Sequence, residues 1–312
     1  MHNALRSALA QQVPNLEILV VDNCSTDGTW ESLQTVQDPR VRLVRNDSTL
    51  GLFGNFNRCL ELSTGEYVCL LGSDDELTEG FIARELPVME AHPQVAMLST
   101  RGRLANVDGH ALGLIANYFP PGIYPGEEAV FAWLWLYAHT RLNALNYPSG
   151  VLLRRDAALR AGAFRTDMQT AGDIDFYLRM LQQGALAISG NIGCRITLHG
   201  GQAHRAPNMD GTAFREQLDV VSQHLALLDH RGASQRVIAQ TYAQALAIGL
   251  LRLLRGKTRT SGRLHFALAR RSVVPGYQLA AACVRFFAAR ALLRYLPGMF
   301  LRLPPPTAPC SR

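Results

Sequence analysis

The apolar positions of the first hundred residues switch between two periods. "LEILVVD" (16–22) is a continuous, β-branched apolar run that stops at the turn cluster "DNCSTDG". "TWESLQTV" then carries its apolar residues at helical spacing, so strand, loop and helix follow in order. "VRLVRN" (41–46) predicts a second short strand. "GLFGNFNRCLELSTG" places Phe53, Phe56, Leu60 and Leu62 at roughly helical spacing and ends on Gly65, a C-terminal stop signal. "EYVCLLG" (66–72) predicts a third strand, "EGFIARELPVMEAH" a helix, and "VAMLST" (95–100) a fourth strand. Strands alternating with helices predict an α/β fold whose mostly parallel sheet is covered on both faces.

Beyond residue 100 the pattern is rich in aromatic residues, Pro and Gly. Within it "EEAVFAWLWLYAH" predicts a helix in which Trp133 and Trp135 are packing residues. From about residue 213 the pattern is wholly helical. It predicts a first domain over 1–212 and a helical region over 213–312 that ends in the disordered tail "LPPPTAPCSR".

Charge divides the chain near the same place. From residue 230 onward there are 14 Lys or Arg and no Asp or Glu, which leaves the first 229 residues with 17 basic and 25 acidic side chains. An acidic body therefore carries a basic tail. Apolar helices studded with arginine suit the surface of a membrane with anionic headgroups, and equally a helical subdomain or a dimer interface. Nucleic acid is not an expected partner, because no module interleaving aromatic and basic residues is present. The start "MHNALRSALAQQ" lacks the basic and long apolar regions of a secretory signal. No run reaches the roughly 18 apolar residues that span a membrane. Six scattered cysteines contain no C-x-x-C pair, which suits a reducing compartment. The expected place is the cytoplasm, free or peripheral on the inner face of the membrane.

Candidate chemistry sits where strands end. Asp22 closes the first strand, and the pair Asp74 and Asp75 follows the third in "LLGSDDEL". Ligands of parallel sheets bind beyond the carboxyl ends of the strands, so two acidic loops on one sheet edge can face one site. Adjacent carboxylates repel and raise each other's pKa, unless a cation or a hydrogen-bonding ligand lies between them. The competing reading is that one Asp caps the helix starting near "ELTEGFI".

Three segments, "LEILVVDNCSTDGT", "STGEYVCLLGSDDEL" and "AGDIDFYLRML", occur in this order. Together they resemble the nucleotide-sugar-dependent glycosyltransferases of family two, which have the GT-A fold, from the first residues to about residue 205. The resemblance implies a nucleotide diphosphate sugar as donor, a glycan or lipid-linked acceptor, transfer with inversion in cell-surface polysaccharide synthesis, and Mn²⁺ or Mg²⁺ as cofactor. It assigns Asp22 to the nucleotide base, with Ser25 and Asp27 shaping the loop, and Asn57, in the helix before the acidic strand, to the donor side or to a structural role. It gives Asp74 the ribose or metal-bound waters, Asp75 the metal, and Asp173 the role of general base. His199 corresponds to an additional metal ligand, with His204 as the second choice. Gly150 corresponds to a point of close approach, and Arg154 or Arg155 either to neighbours of the phosphates or, equally, to solvated surface residues. Asp175, two residues after the base, is left to capping or to pairing with Arg179.

The pattern departs from the family in three places. Gly72 stands where many members carry an Asp, and Gly172 where an acidic residue often precedes the base. The chain also opens inside what should be the helix after the first strand, "HNALRSALAQQ", so the expectation is a start upstream of Met1. The rival to an enzyme is a catalytically inactive relative that serves as a binding or scaffold protein.

Overall fold

The computed structural model describes residues 1–115, 119–140, 143, 145–199 and 212–224. Helix α1 (His2–Leu9) precedes strand β1 (Ile18–Asp22), helix α2 (Thr29–Leu33) and strand β2 (Val41–Arg45). β1 and β2 pair in parallel from Ile18 opposite Val41 to Asp22 opposite Arg45, as a two-stranded sheet. Leu5, Ile18 and Leu33 form the buried cluster that joins α1, β1 and α2. Helix α3 (Leu52–Leu62) buries Phe53 and Leu60. This stretch matches the predicted order of elements closely.

The third predicted strand is much shorter than its apolar run. β3 covers Tyr67–Val68 alone, paired with β8 (Val151–Arg154). The rest of "YVCLLG" leaves the ladder because its polar groups turn to one side chain and its backbone. The Cys69 thiol donates to the Ser149 carbonyl at 3.8 Å, and the Gly72 N–H to the Ser149 hydroxyl at 3.0 Å. β4 (Glu76–Leu77) follows, then helix α4 (Phe81–Ala91) and strand β5 (Val95–Asn106). β5 runs past the predicted 95–100 because "RGRLAN" pairs with the hairpin partner β6 (Ala111–Ile115) and with β9 (Ala185–Leu198).

The remaining elements are β7 (Gly122–Tyr124), α5 (Gly126–Thr140), a 3-10 turn at Pro148–Gly150, α6 (Arg155–Arg160), α7 (Gly172–Met180) and α8 (Thr212–His224). Seven strands form the larger sheet in the order β3-β8-β5-β9-β4, with β6 on β5 and β7 on β9. The expected α/β class holds, with helices on a central sheet. Among the described residues the expected mostly parallel pairing holds for β1–β2 and β5–β9, and the other ladders are antiparallel. β6 returns directly after β5, and a tight return of this kind is antiparallel by construction. Met89, Val95, Leu98, Leu152, Ala185 and Ala187 form a core cluster between α4 and the sheet.

The described chain belongs to two units: residues 1–126, 145–168 and 172–200, and residues 127–144, 169–171 and 201–312. All seven residues assigned above to donor, metal and base lie in the first. In the second, Trp133 stacks on Tyr137 with ring centroids 4.9 Å apart and donates its indole N–H to Asn143 Oδ1 at 3.0 Å. Trp133 is therefore a packing residue, as expected. Glu216 of α8 accepts the backbone N–H groups of Gln169, Thr170 and Ala171 at 2.7, 2.8 and 3.0 Å. The basic helices and the tail beyond residue 224 lie outside the described residues, as does His204. Among the described residues no helix is long and apolar enough to cross a membrane.

Candidate active site

The turn between β3 and β4 folds its two carboxylates back over Gly72. Asp75 donates its backbone N–H to the Gly72 carbonyl at 3.1 Å. A side chain at Gly72 would start 3.0 Å from Asp75 Oδ2 and 3.1 Å from Asp74 Oδ1, so the missing Cβ is what lets both carboxylates come this close. Asp75 is 7% exposed. The Ser149 hydroxyl donates to its Oδ2 at 2.5 Å, and the Thr197 N–H of β9 donates to its Oδ1 at 3.1 Å. Ser149 also accepts the Gly72 N–H, so one buried side chain ties both ends of the turn. Burial is the largest influence on Asp75 and raises its pKa to about 6, with the Asp74 charge adding to it and the two donors opposing it.

Asp74 is the outward member of the pair. Its Oδ2 lies 2.8 Å from His199 Nε2, and both side chains are half-exposed. The end of β9 and the residue that follows it deliver both contacts, Thr197 to Asp75 and His199 to Asp74. The sequence reading joined His199 to Asp75 as metal ligands; here the histidine faces Asp74, while Asp75 is engaged on both oxygens by protein donors. Among the described residues no three His, Cys, Asp or Glu side chains are grouped closely enough to hold a metal ion. Two accessible ligands of this kind suit a hard cation that takes the rest of its shell from phosphate oxygens and water.

Asp22, at the end of β1, is 1% exposed. Its Oδ2 pairs with Arg45 Nε at 3.2 Å and accepts the Ser25 N–H at 3.1 Å. Arg45 lies over the Trp30 ring at 5.5 Å and donates to the Ser25 carbonyl at 2.6 Å. Asp22 Oδ1 is buried and accepts no hydrogen bond among the described residues. A buried acceptor left without a donor is costly, so this atom has room for one further hydrogen-bond donor. Asp27 Oδ1 accepts the N–H of Thr29, the first residue of α2, at 3.1 Å.

Asp173 stands in the first turn of α7, where its Oδ1 accepts the Ile174 N–H at 2.8 Å. The Cβ that Gly172 lacks would fall 2.6 Å from the Phe53 ring, so α7 starts in close contact with α3. Asp175 is buried and pairs with Arg179 at 2.8 Å, the alternative expected for it. Tyr147 faces two of the acidic positions: burial, and then the Asp173 and Asp75 carboxylates, push its hydroxyl pKa up.

Three assigned residues serve the fold instead. The Asn57 amide donates to the Phe164 carbonyl at 2.8 Å and accepts the Phe164 N–H at 2.7 Å, so both its ends are committed to backbone rather than to a donor. Arg154 donates to the carbonyls of Val95 (3.1 Å) and Met89 (2.8 Å) and lies over the Tyr67 ring at 5.0 Å. Arg155 bonds the Ser63 hydroxyl at 3.2 Å. Gly150 does mark a close approach, because a Cβ there would fall 1.9 Å from Asn146 Nδ2. Ser149, Thr197 and Tyr147 escaped the sequence reading. Only the "YPSG" turn gave a signal for two of them, and Thr197 acts through its backbone N–H.

The family model described as "Glycosyl transferase family 2" matches residues 1–164. A Mycobacterium tuberculosis (strain CDC 1551 / Oshkosh) protein, "Uncharacterized protein MT1568", is 32% identical over 190 residues, which are 60% of this chain and 59% of that protein. The Escherichia coli "UDP-Glc:alpha-D-GlcNAc-diphosphoundecaprenol beta-1,3-glucosyltransferase WfaP" is 32% identical over 90 residues, 29% of this chain and 36% of that enzyme. The chain thus spans less than two thirds of the length of these relatives. Among solved structures, that of S. aureus TarS 1-349 superposes with a TM-score of 0.62 at 14% identity, over 94% of this chain and 87% of that one, which shows a shared fold.

Proposed function

The chain belongs to glycosyl transferase family 2, and from that premise we propose that it moves a sugar from a nucleotide diphosphate donor, with inversion, to a glycan or lipid-linked acceptor in cell-surface polysaccharide assembly. The observation that carries this reading is the pairing of Asp74 with His199, half-exposed and 2.8 Å apart, beside the clamped Asp75.

Asp74 and His199 would hold Mn²⁺ or Mg²⁺, whose charge stabilises the departing diphosphate. Asp75 acts behind them as the buried anchor of the turn and not as a ligand. Asp22 Oδ1 accepts an N–H of the nucleotide base, and the Ser25 backbone and Arg45 hold its other oxygen. Asp173 takes the proton from the acceptor hydroxyl as that oxygen attacks the anomeric carbon opposite the diphosphate. The arginine-rich segment 213–312 lends itself to contact with an anionic membrane surface, where a lipid-linked acceptor such as the one named for the Escherichia coli relative would lie.

The test is a calorimetric titration of the chain with UDP, GDP and dTDP, with and without Mn²⁺. Metal-dependent binding that is lost in Asp74→Asn, together with transfer that is lost in Asp173→Asn while nucleotide still binds, is the expected result. A folded protein that binds none of the three nucleotides with metal would replace this reading with the non-catalytic one.

A further inference from the structure

Tyr147 is an exposed aromatic ring on an immobile base. Asn146 before it is buried, donates its backbone N–H to Ser99 Oγ at 3.1 Å and its amide to Cys194 Sγ at 3.3 Å, and accepts the Tyr147 N–H at 2.8 Å. After it come Ser149, tied to Asp75, and Gly150, whose carbonyl accepts the buried Thr100 hydroxyl at 2.8 Å. With both flanks fixed, the Tyr147 side chain is nevertheless 39% exposed. The large aromatic residues that serve packing elsewhere, Trp133, Phe176 and Tyr177, are almost wholly buried.

Its place is as informative as its exposure. The ring belongs to the segment that holds the acidic turn, and its hydroxyl feels both Asp173 and Asp75. In a displacement with inversion, the anomeric carbon lies between the acceptor oxygen, held at the base, and the diphosphate, held at the acidic turn. The sugar ring in flight would occupy the interval between those two positions, and Tyr147 stands two residues before the Ser149 that holds Asp75, near enough to Asp173 and Asp75 for both charges to act on its hydroxyl. A flat aromatic face offers the C–H groups of a pyranose an apolar surface at little entropic cost, because the residue is already fixed.

We infer that Tyr147 is the stacking platform for the pyranose ring of the donor. The inference rests on the donor-site reading above and adds to it a contact with the sugar rather than the nucleotide. It follows that sugar nucleotides and bare nucleotides respond differently to the loss of this ring.

The test compares calorimetric titrations with Mn²⁺ of UDP, GDP and dTDP against UDP-glucose, UDP-N-acetylglucosamine, GDP-mannose and dTDP-glucose. In Tyr147→Ala the Kd of the sugar nucleotide is expected to rise about threefold to tenfold, with the Kd of the matching bare nucleotide changed less than about twofold. Tyr147→Phe keeps the ring and is expected to restore sugar-nucleotide affinity. If Tyr147→Ala leaves the two ligands alike, or weakens both equally, the stacking role is overturned while nucleotide binding by the parent chain stands. If the parent chain binds no nucleotide at all, the donor-site reading falls and takes the platform with it.

Discussion

Asp22 and Asp75 are both buried carboxylates near the ends of apolar runs, and the protein treats them in opposite ways. Asp75 receives a donor on each oxygen, from Ser149 and from the Thr197 N–H, so its hydrogen bonding closes within the fold. Asp22 receives its donors on one oxygen, and the other accepts no bond among the described residues. A closed carboxylate holds structure in place, whereas an open one still has room for a donor, the role proposed above for the nucleotide base. Adjacent acids in a sequence do not say which is which; the number of donors reaching each oxygen does.

The sharpest way to break the comparison is to open the closed site. Ser149→Ala leaves the buried Asp75 Oδ2 and the part-buried Gly72 N–H without the hydroxyl that joined them. A stranded buried group costs roughly 1–3 kcal/mol and a part-buried one less, so the expected loss is about 2–4 kcal/mol of stability in urea unfolding. Arg45→Ala at the open site removes a partner that is itself 35% exposed but leaves the buried Asp22 with the Ser25 N–H, and is expected to cost about 1–2 kcal/mol. Equal losses in the two variants would erase the distinction.

The closed site also predicts a pH dependence. Burial raises Asp75 from an ordinary 3.8 to about 6, so between those values the folded chain binds more protons than the unfolded one. Stability is then highest from this group below about pH 4 and falls as pH rises toward 6. A shift of this size corresponds to roughly 2–3 kcal/mol. Thermal unfolding of the metal-free protein in EDTA should show the decline between pH 4 and 6, and Asp75→Asn should flatten it. A parent profile as flat as that of the variant would mean that Asp75 is solvated after all. Asp38, Asp156 and Asp167, held below the usual carboxylate range by neighbouring arginines, act in the opposite sense and only at lower pH.

Much of the first hundred residues was legible because their apolar runs are short and their turns well marked. β9 was not, since "ALAISGNIGCRITL" is interrupted by Gly and Asn and shows no steady alternation. The mixed direction of the large sheet was hidden for a related reason: strand order depends on long-range pairing, which local periodicity does not encode. In the site, carboxylates at strand ends announced Asp22, Asp74 and Asp75. The division of labour within the pair did not, because it is decided by Ser149 and Thr197, 74 and 122 residues along the chain. Asn57 illustrates the reverse case. Its residue type and place suggested a ligand contact, but its amide matches one backbone unit, that of Phe164, at both ends.

The open carboxylate gives the smallest and most diagnostic prediction. Asp22→Asn preserves shape but puts an amide NH₂ on one side of the group. If that NH₂ turns toward Ser25, two N–H donors oppose each other; if it turns toward the buried vacant position, it opposes the N–H of the incoming base. Either choice removes a donor–acceptor match, so nucleotide affinity is expected to fall about tenfold, or roughly 1.4 kcal/mol. The melting temperature of the free protein should fall only modestly, because the amide keeps an oxygen for one of the donors that Asp22 now accepts, while the charge opposite the partly exposed Arg45 is lost. A variant that keeps its nucleotide affinity and loses stability instead would show that Asp22 is as closed as Asp75, with a structural donor on its second oxygen.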